Sequence, residues 1–72
     1  MICTFKYGAG NSVTRTVPDG ATIDTARQDP VNQAALGMSD NVAGHVVGIA
    51  QPGHTPLTEG MVVTFADIPK PK

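Results

Sequence analysis

Three side chains in this 72-residue chain carry nucleophilic or soft-ligand chemistry: Cys3, His45 and His54. A structural zinc site takes four ligands, so the set is one short unless a carboxylate joins it, and no metal site is expected. Cys3 lies in an apolar run, where a thiol behaves as a small hydrophobe whose ionisation nothing favours. It is the single cysteine, so no internal disulfide can form. His54, flanked by Gly53 and Pro56, falls in a loop open to solvent or a partner, whereas His45, on a strand, is expected as a packed or edge residue. Neither has an Asp or Ser companion at a spacing that implies a catalytic arrangement. The Gly8-Ala9-Gly10 cluster has the glycines of a phosphate cradle. It leads from strand to strand, however, and never into a helix whose amides would hold the anion. These residues predict no enzymatic activity and no cofactor.

Size and charge narrow the function further. A chain of this length buries only about 60% of the surface its unfolded form exposes, which is one core and no room for a deep catalytic cavity. Five basic and six acidic residues give a net charge of −1, with no cationic stripe for phosphate backbones or anionic lipid, so neither nucleic acid nor a membrane is an expected partner. Charged residues make up 15% of the chain, against roughly 25% in an average domain. The polar surface must come from Thr, Ser, Asn, Gln and Gly, and interface cores share this poverty of charge. No run of about 18 apolar residues exists, and the first residues lack the basic and apolar regions of a signal peptide. Cytoplasmic synthesis is the expectation, with incorporation into a larger particle compatible with it.

The elements that must position these residues follow from periodicity. Residues 2–7 alternate, with Cys3, Phe5 and Tyr7 on one side and Thr4 and Lys6 on the other, as in a half-buried strand. The turn cluster 8–11 precedes a β-prone run, 13–17, giving a hairpin. Arg15 shares phase with Val13 and Val17, which requires either a bulge or an arginine that snorkels out at the sheet edge. Thr22 is placed to cap a helix beginning at Ile23, with Asp24 near its positive end. Asp29-Pro30 is a second start signal, so 31–36 is a short helix or the second half of a broken one. A glycine-containing strand over 42–48 follows, then a very short strand at Ile49-Ala50. Residues 61–66 are apolar at successive positions and read as a central strand buried on both sides or nearly so. The order is strand, strand, helix, strand, short strand, strand: an α+β roll.

Two phrases carry a family resemblance. Val17-Pro18-Asp19-Gly20-Ala21-Thr22-Ile23 resembles the turn that enters the helix of β-grasp, ubiquitin-like proteins. Val46-Val47-Gly48 and the stretch from Thr55 through Leu57, Glu59-Gly60 and Val63 to Phe65 are similar to the turn and final strand of the sulfur carrier proteins of thiamin and molybdopterin synthesis. The resemblance spans nearly the whole chain. It implies a β-grasp domain over residues 1–66, a mixed four- to five-stranded sheet covered on one face by one helix, followed by an extended tail over 67–72. Departures are Gly44-His45 in the third strand and Gly48 without the usual preceding Asn. Sulfur carriers also act through a C-terminal Gly-Gly, whose carboxylate is adenylated and converted to a thiocarboxylate in a partner's narrow channel. Here the final pair is Pro71-Lys72. A sulfur carrier or ubiquitin-like modifier is therefore the alternative reading, and it needs a processed C-terminus.

The leading expectation is a non-enzymatic protein-interaction or structural assembly module, of the kind that decorates or cements a virus shell. Its partner would be another protein or copies of itself. Thr4, Lys6, Thr14, Thr16 and Thr64 should form an uncharged, threonine-dominated sheet face that costs little to desolvate, and Pro69, Lys70, Pro71 and Lys72 could lie as an extended arm on a neighbour.

Overall fold

The computed structural model describes residues 1–8 and 10–68. Alternation in the sequence becomes five strands: β1 (Ile2–Tyr7), β2 (Asn11–Thr16), β3 (Val42–Val46), β4 (Ile49–Ala50) and β5 (Val62–Asp67). They form one mixed sheet in the order β2-β1-β5-β3-β4. The two central strands, β1 and β5, run parallel, and each is flanked by an antiparallel neighbour. Two helices, α1 (Ile23–Gln28) and α2 (Pro30–Leu36), connect β2 to β3.

The roll was expected to carry one helix, with 31–36 a short helix or its broken second half; the chain makes two separate helices. Proline disfavours helical backbone at the residue before it, and Asp29 accordingly sits at φ −71°, ψ 117° between the helices. That residue serves both ends. Its backbone N–H donates to the Ala26 carbonyl as α1 finishes, and its side chain accepts from Val31 N–H at 2.9 Å as α2 begins. Upstream, Thr22 caps α1 as the sequence predicts, accepting from Thr25 N–H at 3.3 Å.

The core lies between the helices and one face of the sheet. Phe5 and Phe65 meet there across β1 and β5 with ring centroids 6.1 Å apart, surrounded by Cys3, Ile23, Leu36, Val42, Leu57 and Val63. Gly44 lets α1 approach β3 closely: a Cβ on it would lie 2.7 Å from a methyl of Ile23. Leu57 plugs the core from the loop between β4 and β5. That loop is tied to the start of α1, with Ile23 N–H donating to the Thr55 carbonyl and Asp24 N–H to the Gly53 carbonyl.

Three expectations change. Central β5 is buried on one face: Val63 and Phe65 are inaccessible, while Val62 is 43% exposed and Thr64 and Ala66 are open. Apolar side chains at successive positions therefore do not mark a doubly covered strand here, because both helices lie on the same side. Strand β3 stops at Val46, and Val47-Gly48 becomes a two-residue turn with φ of 52° and 77°. Finally, Arg15 neither bulges nor snorkels. The β1–β2 register is unbroken from Ile2↔Thr16 to Tyr7↔Asn11, and the Arg15 guanidinium donates to Asn32 Oδ1 at 2.7 Å. Asn32, the one buried polar side chain among the described residues, in turn donates to the Ala26 carbonyl.

Candidate interaction surface

Among the described residues, no helix lies over the sheet's other face. Strand pairing dictates which side chains meet there, because alternate residues share a face and paired residues stand side by side. Thr14, Thr4 and Val62 form one row, and Ser12, Lys6, Thr64 and His45 form the next. Ile2 and Thr16 pair at one end. The residues singled out in the sequence, Thr4, Lys6, Thr14, Thr16 and Thr64, thus share one face. Pro69, Lys70, Pro71 and Lys72 lie outside the described residues.

This face is nearly without charge. Lys6 supplies the single formal charge in the two rows, and the Thr4 and Thr14 hydroxyls share one hydrogen bond at 3.2 Å. Exposed apolar side chains interrupt the threonines: Ile2 is 50% and Val62 43% accessible. Sequence reading missed both. Their strands looked fully accounted for by core packing, and only the one-sided cover reveals that Val62 points outward. His45 was expected as a packed or edge residue; its Nδ1 lies 3.4 Å from the Thr64 carbonyl on this face.

At the margin, β3 and β4 project a hairpin whose tip, Val47, is 92% exposed, with Ile49 65% exposed beside it. Between this hairpin and the start of β5 runs an open groove of about 570 Å³, lined by Val46, Val47, Thr58, Glu59, Met61 and Val62. Glu59 forms part of its rim, and its carboxylate accepts from the Ile2 N–H. A second cleft of about 380 Å³ separates α1 from β3. Arg27 is held within it, pairing with Asp24 at 3.0 Å and donating to the Asp40 carbonyl at 2.6 Å.

Reactive groups are scattered. Cys3 is buried with Sγ 3.2 Å from the Thr58 carbonyl, and His54 is exposed on its loop. Among the described residues, no three of His, Cys, Asp and Glu gather as a metal site would require. Among the described residues, the one group with a shifted ionisation is Tyr7. Its hydroxyl donates to Asp67 Oδ1 at 2.8 Å, and that hydrogen bond, with smaller contributions from desolvation and the Asp67 charge, raises the phenol's pKa.

No helix among the described residues is long and apolar enough to cross a membrane. Compared with known proteins, the chain matches no family model and no curated protein. Its own surface is therefore the ground for a functional reading.

Proposed function

We propose that this chain is a β-grasp domain that works by binding: an interaction or assembly module presenting its open sheet face to another polypeptide. The β-grasp reading is supported by the parallel central pair β1–β5, by helices inserted between β2 and β3 on one face, and by the two sequence phrases described above. The functional reading rests on a single observation. A sheet face spanning β2, β1, β5 and β3 carries one lysine, four threonines of which two hydrogen-bond each other, and two exposed aliphatic side chains, so covering it removes apolar area from water while burying little charge. A decoration or cement component of a protein shell is an assembly that would use such a face, because lattice contacts are made by surface and need no catalytic site.

Thr64→Glu tests the reading. Position 64 is exposed and stands between Lys6 and His45, so a carboxylate is tolerated in the isolated domain but puts a charge in the middle of the face. Tagged wild-type and variant chains would be captured from the cells that produce them and cross-linked through amines. The wild type should yield cross-links from Lys6 to a defined polypeptide, and the variant should lose them by tenfold or more with its melting temperature unchanged. Equal recovery from both chains would contradict the reading.

A further inference from the structure

We infer that β2 is a docking edge for the β2 strand of a second copy, joining two domains into one continuous sheet. The inference rests on the reading of the domain as an interaction module, but it concerns the edge and not the face. Met1 and Val17 exchange hydrogen bonds through both their backbone groups. In an antiparallel ladder such exchange recurs at every second pair. Cys3↔Arg15, Phe5↔Val13 and Tyr7↔Asn11 are thus the bonded pairs within the sheet. The N–H and C=O groups of Ser12, Thr14 and Thr16 consequently point away from β1. All three residues are exposed, and none of these backbone groups has a protein partner among the described residues.

Natural edge strands are guarded by charged side chains, inward-pointing charges, prolines, bulges, short length or a covering element. β2 has one of these, the inward-pointing Arg15, and that charge is already engaged within the domain. It runs six residues in unbroken register without proline, and its one charged side chain, Arg15, is held by Asn32 and lies 3.9 Å from Asp29. The opposite edge, β4, is two residues long, too short to hold a partner strand.

A second copy fits this edge in a particular register. With Thr14 opposite its own equivalent about a two-fold axis, Ser12 pairs with Thr16 of the other copy, and every outward N–H and C=O of these residues meets a complement. The same register is favourable for charge. Arg15 then faces Val13 of the other copy, so the two guanidiniums are not opposed, and on the open side only hydroxyls meet. The threonine face would continue across both domains.

Thr14→Pro is the diagnostic variant. The Thr14 N–H makes no bond to β1, so proline removes an outward donor without removing a ladder bond inside the domain. Sedimentation of the purified chain from micromolar to millimolar concentration should show a monomer–dimer equilibrium, weakened at least tenfold by Thr14→Pro and unchanged by Thr14→Val or Thr64→Glu. Amide exchange of the wild type gives a second readout, decisive even if the proline variant misfolds. The Ser12, Thr14 and Thr16 amides should become protected as concentration rises, while those of Val13 and Arg15 are protected throughout. A chain that remains monomeric at millimolar concentration, with these alternate amides unprotected, overturns the inference; so does a dimer that folded Thr14→Pro leaves intact. Because Thr64→Glu spares the edge and Thr14→Val keeps it, loss of the dimer and loss of the open-face partner are separately observed.

Discussion

Tyr7 shows how one hydrogen bond can be isolated in this molecule. It is the only tyrosine, and the chain has no tryptophan, so its ultraviolet titration is uncontaminated. The neutral phenol donates to Asp67; ionising it breaks that bond and sets two anions together. Its folded-state pKa therefore lies above the ordinary 10.0. For such a group the stabilising contribution is complete below pH 10 and disappears as pH rises through the raised value. Absorbance titration should give a midpoint above that of the unfolded chain, and Asp67→Asn should bring it down. Coincident midpoints for native and unfolded protein would show that the bond is not formed in solution. At this scale the sequence was only partly legible. The phase of Tyr7 on β1 could be read from alternation, but Asp67 is sixty residues away, and no local pattern announces a partner brought in by parallel pairing. The same holds for Arg15, whose apparent misplacement among valines makes sense only once Asn32 of α2 is seen beneath it.

At the scale of elements, local signals worked where the cause was local. Thr22 and Asp29-Pro30 start helices because capping and proline sterics act within a few residues. The split between α1 and α2 was foreshadowed by the second of these signals, although the overall architecture had been expected to contain one helix. Burial of β5 was misread because hydrophobicity reports that a side chain can be buried, not which layers surround the strand. The β3–β4 hairpin is the other departure. Two-residue turns with positive φ at both positions favour Asn-Gly, yet Val47 occupies the first at φ 52° and is 92% exposed. A β-branched residue is strained there and gains almost nothing from packing. Replacing Val47 by Asn should raise unfolding free energy by about 1 kcal/mol in urea titrations, in line with the relief of an unfavourable backbone conformation. A variant no more stable than wild type would mean that the turn relaxes to another geometry.

As a whole molecule, the domain spends its aromatic and most of its aliphatic side chains on a single core, and among the described residues nothing covers the open sheet face or the β2 edge. Alternation along the strands already grouped the threonines and Lys6 on one low-charge face; which of them stand side by side, and that Ile2 and Val62 join them, could not be read until the strand order was known. That face carries the account. Selective labelling of Lys6 tests it most directly, since this exposed residue stands on the face between Thr64 and Ser12. Acetylation followed by mass spectrometry should find Lys6 reactive in the isolated domain and protected at least tenfold when the chain is labelled within its native assembly. Equal reactivity of Lys6 in the two states would contradict the account.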